Sequence, residues 1–328
     1  MKRREFIALF GGAATAWPLA ARAQQPTMPI VAYLSVQSAD ERPTYLAALR
    51  KGLSTQGFVD GQNVKIEYHS ADGRLERLPD LAAEIVRSQV TAIVCAGGSP
   101  ALLAAKRATE TIPIVFISGG DPVSLGLVSS LNRPGGNLTG IYFVLSELVG
   151  KRLALVHELL PNAKRIAVLN NPANPAEAEP AVRQASVAGR ALGLETKIFD
   201  VRAGAEIEAA FSAMVDWRAE VLFVEPDPVF STRRTQLITL SARYALAASY
   251  YLRDFVDVGG LMSYGPDNAE NHVQMGVYLG RILKGEKPGD LPVVQPTKYE
   301  LVLNLKTAKS LSIEVPPTLL ARADEVIE

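Results

Sequence analysis

From residue 29 to the C-terminus, short apolar runs alternate with longer segments whose apolar residues recur every three or four positions. Runs such as Ile93-Val94-Cys95-Ala96 and Ile114-Val115-Phe116-Ile117 are apolar at successive positions, as strands covered on both faces are. Leu75–Gln89 instead places Leu75, Leu78, Leu81, Ala82, Ile85 and Val86 along one helical face. The pattern predicts strands over Pro29–Leu34, Val64–His69, Thr91–Ala96, Ile112–Ile117 and Leu138–Val144. Helices are predicted between them over Arg42–Gln56, Leu75–Gln89, Ser99–Ala108 and Pro122–Leu131. A second round has strands at Arg165–Asn170, Glu195–Val201, Glu220–Val224, Leu246–Tyr250 and Gly259–Tyr264. Its helices are Ala176–Leu192, Ala205–Val215, Val229–Tyr244 and Asn268–Leu283, and Lys298–Leu305 with short helices finishes the chain. Such alternation is the mark of parallel α/β architecture, here two successive doubly wound units and therefore two similar lobes.

The first 25 residues break this pattern. Lys2-Arg3-Arg4 leads into an apolar run over residues 6–20, too short for a permanent membrane span, and Ala21-Arg22-Ala23 has the small-x-small form of a signal-peptidase site. The expectation is a cleaved signal peptide over 1–23, a mature chain beginning at Gln24, and a periplasmic location. Arg3-Arg4-Glu5-Phe6-Ile7 resembles the twin-arginine pattern used to export folded proteins, with a Sec signal as the alternative. Removing 1–23 takes away four of 34 basic residues and one of 34 acidic ones, leaving a formal charge of −3. That balance provides no basic face for nucleic acid. No second apolar stretch reaches 18 residues, so the mature chain is expected to be soluble. The single cysteine, Cys95, cannot form an internal disulfide and suits a strand core.

In open parallel sheets, ligands bind beyond the carboxyl ends of the strands. Two strand ends in the first unit run into Gly97-Gly98-Ser99-Pro100 and Ser118-Gly119-Gly120-Asp121-Pro122. Each joins glycines, which let a ligand approach backbone, to a capping residue and a proline at the first helical turn. Gly98 and Ser99 are candidates to hold an anion at a helix N-terminus, whereas Asp121 either lines the site or only caps its own helix. The second unit supplies Asn170-Asn171-Pro172 and Glu225-Pro226-Asp227-Pro228, with Asn171 a candidate ligand contact and Asp227 or Glu225 the natural acceptor for an ammonium group. Tyr142 and Tyr251 are candidate flat walls. There is no G-x-S-x-G elbow and no phosphate loop, and the three histidines, His69, His157 and His272, stand far apart without metal-ligand spacing. The sequence reads as a binder without catalytic, metal or cofactor sites; an exported enzyme using Asp121, Asp227 or Glu225 is the alternative of another class.

Several segments together resemble the bacterial ABC-transporter substrate-binding family that includes tryptophan/tyrosine-type binding proteins. They are Ile112–Phe116, Gly119–Val123, Leu131-Asn132-Arg133-Pro134-Gly135-Gly136-Asn137-Leu138-Thr139-Gly140, Gly259–Gly265, Gly280–Gly285, Pro296–Asn304 and Val315–Leu320. The resemblance implies a type I periplasmic binding-protein fold, with two Rossmann-like lobes of parallel sheet joined by a three-crossover hinge. On that pattern the crossovers fall near Thr139–Phe143, Asp257–Leu261 and Leu291–Thr297. The N-terminal lobe then comprises 24–141 plus 261–290, and the C-terminal lobe 142–260 plus 291–328. The segment Ser35–Asp40 is implied to line the cleft, adding Ser35 and Ser38 to the candidates. A small carboxylate-bearing ligand, an amino acid or aromatic compound, would be delivered to a membrane permease with a separate ATPase subunit. A ligand-sensing partner of a membrane receptor would share the fold. A monomer is expected.

Overall fold

The computed structural model describes residues 28–40 and 43–328, so the expected signal peptide and cleavage site lie outside the described residues. The first sheet holds β1 (Ile30–Ser35), β2 (Lys65–Ser70), β3 (Ala92–Cys95), β4 (Ile114–Ser118) and β5 (Leu138–Tyr142) in the order β2-β1-β3-β4-β5, all parallel. It is wound with α1 (Pro43–Thr55), α2 (Leu78–Arg87) and α3 (Gly98–Ala108). The predicted helix Pro122–Leu131 is absent. Leu125 N–H reaches Asp121 O as in a helix, but Gly126 turns to φ +67° and the segment continues as turns that tuck Leu127 and Val128 into the core.

The chain then builds a second lobe from α4 (Leu145–Leu159), β6 (Arg165–Asn170), α5 (Pro175–Ala191), β7 (Glu195–Asp200), α6 (Ile207–Asp216) and β8 (Val221–Val224). The predicted helix Val229–Tyr244 is split at Arg233 into α7 (Pro228–Thr232) and α8 (Arg234–Arg243). After β9 (Ala247–Tyr250) and α9 (Arg253–Val256) comes β10 (Met262–Pro266), then α10 (Asn268–Leu283). The chain ends with β11 (Tyr299–Asn304), α11 (Leu305–Ser310), α12 (Pro317–Leu320) and β12 (Glu325–Ile327). The second sheet is ordered β12-β11-β10-β9-β8-β6-β7, and β10 and β11 are antiparallel, so this sheet is mixed instead of purely parallel.

Two boundaries differ from expectation. Met262–Pro266 does not open the return to the first lobe, because its edges are taken by β9 on one side and β11 on the other. The return begins at Asp267, and α10 packs on α1 where Gly52 and Gly276 face each other; a methyl group on either would overlap the opposite backbone. Likewise Leu291–Val294 stays with the first lobe. Leu291 O accepts from Thr139 Oγ1 at 2.7 Å, and Val294 O accepts from Tyr142 N–H at 2.9 Å. The three crossovers are therefore 143–144, Asp267 and 295–298.

Apolar side chains fill both faces of each sheet. Leu78, Ile85, Leu102 and Ala105 cover one face of the first sheet, and Leu49, Leu53, Met275 and Leu279 the other. Cys95 is fully buried in β3, and burial pushes its thiol pKa upward, leaving it a packing residue. The second lobe buries an ion pair: Arg152 of α4 and Glu225 after β8 lie 3.6 Å apart, both almost fully enclosed. Arg152 also donates to Val224 O at 2.6 Å and lies 4.0 Å over the Phe223 ring, which ties the carboxyl end of β8 to α4.

Candidate ligand-binding cleft

The carboxyl ends of both sheets converge on a cleft between the lobes with about 540 Å³ of empty space, its open mouth included. From the first lobe it is lined by Gln37, Ala96, Gly97, Gly98, Ile117 and Gly119. The second lobe supplies Leu145, Glu177, Pro226, Asp227, Pro228, Ser231, Tyr251, Leu252 and Pro266, the first crossover supplies Phe143, and the start of α10 supplies Asn268.

On the first-lobe face, β3 stops at Cys95 and α3 begins at Gly98, so the first amides of an eleven-residue helix open towards the cavity without intrahelical partners. Gly98 sits at φ +75°, and a Cβ there would lie 3.2 Å from Pro228 Cγ of the other lobe. Ser99 is fully buried, and its hydroxyl does not cap α3. It lies 3.1 Å from Ser118 Oγ and donates to Glu177 Oε1 at 2.5 Å, across the cleft. Ser35 does not line the cavity: its hydroxyl accepts from Gln37 N–H at 3.1 Å and so shapes the turn that presents Gln37. Ser38 is not part of the lining either.

The second-lobe face is built from carboxylates and amides. Asp227 Oδ1 accepts from Val229 N–H at 2.8 Å, capping α7, and from Asn171 Nδ2 at 2.9 Å, while its Oδ2 accepts from Asn174 Nδ2 at 3.4 Å. Capping and cavity lining thus coexist in one side chain. Asn171 stands behind Asp227 as its support and is not part of the lining. Tyr251 donates its hydroxyl to Asp227 O at 2.8 Å and lies 2.6 Å from Ser231 Oγ, which fixes the same loop. Glu225 is turned away into the pair with Arg152 and takes no part.

Glu177 escaped the sequence reading. It is the third residue of α5 after Asn174, the place where a carboxylate ordinarily folds back on its own helix terminus. Here its Oε2 accepts from Asn174 Nδ2 at 3.2 Å and its Oε1 reaches Ser99. Enclosure lifts its pKa to about 7, the Asp227 charge adding to the rise and the Ser99 hydrogen bond opposing it. Burial also raises the pKa of Asp227, against the hydrogen bonds from Asn171, Val229 and Asn174. Among the described residues neither carboxylate pairs with a cation, and no Lys, Arg or His lines the cavity.

Beyond Glu177 and Leu145 lies a second compartment, with about 470 Å³ of empty space including its opening to solvent, which gathers Asp121 and Tyr142. Asp121 Oδ1 accepts from Val123 N–H at 2.9 Å, so it both closes its own turn and lines this space. The Tyr142 hydroxyl pKa is pushed up to about 12 by burial, with the charges of Asp121 and Glu147 adding. The lobes are in direct contact. The Tyr45 hydroxyl of α1 donates to Asp254 of α9, and the Tyr45 ring stacks on His272 at 4.6 Å. Among the described residues no group of three or more His, Cys, Asp and Glu could hold a metal ion. No helix among them is long and apolar enough to cross a membrane.

Residues 30–327 match the family model described as ABC transporter substrate binding protein. The tyrosine-binding protein of Clostridioides difficile (strain R20291) is 28% identical over 266 residues, which are 80% of this chain and 75% of that protein. Among solved structures, an ABC domain from Streptococcus pneumonia in complex with L-Trp aligns with a TM-score of 0.83 and 25% identity, over 91% of this chain and 99% of that one. A conserved domain protein from Vibrio cholerae O1 biovar eltor aligns over the same shares with a TM-score of 0.83 and 27% identity.

Proposed function

Since the chain belongs to the ABC transporter substrate binding protein family, we propose that it is the exported solute-binding component of an importer and captures an amino acid between its lobes. The observation that carries this reading is the pair of enclosed carboxylates, Asp227 and Glu177, facing the N-terminus of α3 with no cationic partner among the described residues. Two carboxylates held in such a place are costly unless a positive charge arrives. A ligand ammonium supplies it. The ligand carboxylate then sits at the Gly98 and Ser99 amides, where the helix dipole favours an anion. Phe143, Leu145, Ile117 and Leu252 pack on the ligand's apolar portion. The name of one relative, a tyrosine-binding protein, and the L-Trp complex of another agree with a ligand of this class.

Ligand contacts to both faces shift the population of lobe arrangements towards closure. Ser99 and Glu177 meet only when the lobes are together, so their hydrogen bond belongs to the closed form. The closed protein, a monomer in the periplasm, then docks on a permease driven by a separate ATPase subunit. The test is thermal melting of the refolded protein against a panel of amino acids and their deaminated analogues. A ligand that binds only the native state stabilises it by roughly 2.7 kcal/mol at a hundredfold excess over Kd. The expected result is a shift with an amino acid, none with the deaminated analogue, and loss of the shift in Asp227→Asn, which keeps a good helix cap. A shift that survives Asp227→Asn undiminished would overturn the assignment.

A further inference from the structure

Beyond Glu177 and Leu145 the cleft does not end, and the second compartment differs in chemistry from the first. The first is walled mainly by apolar side chains and prolines. The second brings together Asp121, Ser124 and Tyr142 from the first lobe with Ser146 and Glu177 from the second. The two spaces share Gly119, Leu145, Glu177 and Pro226, so a ligand seated at Asp227 can pass along Leu145 into the second. Among the described residues no Lys, Arg or His lines either space, whereas Asp121, Asp227 and Glu177 all do. Asp121 spends Oδ1 on the Val123 amide, and its Oδ2 has no partner among the described residues.

A zwitterionic amino acid with an apolar side chain answers this arrangement incompletely. Its ammonium meets Asp227 and Glu177, its carboxylate is taken by α3, and the second compartment is left with a carboxylate and hydroxyls facing an uncharged group. We infer that the second compartment is a subsite for a positively charged, hydrogen-bond-donating side-chain end, so that the ligand class is an amino acid with a second protonated nitrogen. Its alkyl stem lies on Leu145 and its terminal cation is received by Asp121, with the Tyr142 and Ser146 hydroxyls as further acceptors. Wrongly seated neutral side chains are disfavoured because Asp121 is then desolvated without a partner.

This inference rests on the proposed amino-acid site, and paired isosteres separate the two. Isothermal titration of the full chain with lysine against 6-hydroxynorleucine, and arginine against citrulline, holds length constant while removing the charge. The expected result is at least tenfold tighter binding of the charged member of each pair, with Asp121→Asn reducing that ratio tenfold. Equal affinity within both pairs would overturn the subsite and leave the amino-acid site standing. An unchanged ratio in Asp121→Asn would also overturn it, as would tight binding of tryptophan or tyrosine with lysine and arginine silent. If no amino acid binds, including glycine and alanine as minimal probes of the Asp227 end, both readings fall together.

Discussion

The two faces of the cleft use different parts of the polypeptide. The first-lobe face is mostly main chain: Gly97, Gly98 and Gly119 bring backbone to the surface of the cavity at the start of α3, whose first amides have no intrahelical partners. The second-lobe face is side chain: Asp227 and Glu177 project from loops and a helix start, held by Asn171, Asn174 and Tyr251. Main-chain amides carry a fixed partial charge and need only the helix behind them. Carboxylates titrate, and each depends on neighbours that aim it. The second face therefore needs a supporting network, and the buried Arg152–Glu225 pair forms its base directly behind Pro226 and Asp227.

Removing that base separates the two faces most sharply. In Arg152→Met, Glu225 is left enclosed with no opposing charge, and loss of one partner of a buried pair costs about 3–5 kcal/mol. Chemical denaturation at pH 8 should show a drop of that order, largely restored in the double variant Arg152→Met/Glu225→Leu. If the single variant is neutral, the pair is not a support of the second face. A smaller effect is expected on the first face from Gly98→Ala. The left-handed backbone at Gly98 costs an alanine about 1–2 kcal/mol, and the new Cβ stands 3.2 Å from Pro228 Cγ when the lobes are closed. The variant should melt a few degrees lower and bind its ligand about tenfold more weakly, with calorimetry on both states as the check. Binding that weakens without any loss of stability would place the whole effect in closure.

How far the sequence reached follows the same division. The strand ends of the first face were legible as glycine, serine and proline at a strand-to-helix turn; Gly98 lines the cavity, whereas Ser99 is fully buried outside the lining and reaches Glu177 with its hydroxyl. Asp227 was legible as a cap in a proline-bounded loop. Glu177 was not, since a carboxylate in the first turn of a helix is ordinary and only the approach of Ser99 from the other lobe gives it a further role. Ser35 and Ser38 marked the right loop but missed Gln37, which points inward because Ser35 turns the backbone. The strands themselves could be placed from their apolar runs, whereas sheet membership could not. Met262–Pro266 reads as a strand in either lobe, and its pairing with Ala247–Tyr250 on one edge and with Tyr299–Asn304, more than thirty residues later, on the other assigns it.

The effect most particular to the side-chain face is its response to pH. Glu177 and Glu225 both have pKa values raised to about 7 from a model-peptide value of 4.5, mainly by burial. A folded protein that holds these protons more tightly than the unfolded chain loses stability as pH rises from 4.5 through 7, and no further above that. The ligand-free protein should therefore melt at a lower temperature at pH 7.5 than at pH 5.5, with Asp227 adding in the same direction. A ligand ammonium favours the ionised form of Glu177, so the ligand-induced shift should shrink as pH falls below 7. Glu177→Gln removes this dependence from ligand binding while leaving the part due to Glu225. The α3 amides do not titrate in this range, so a pH dependence of binding that persisted unchanged in Glu177→Gln would assign the response to some group other than the one that joins the two faces.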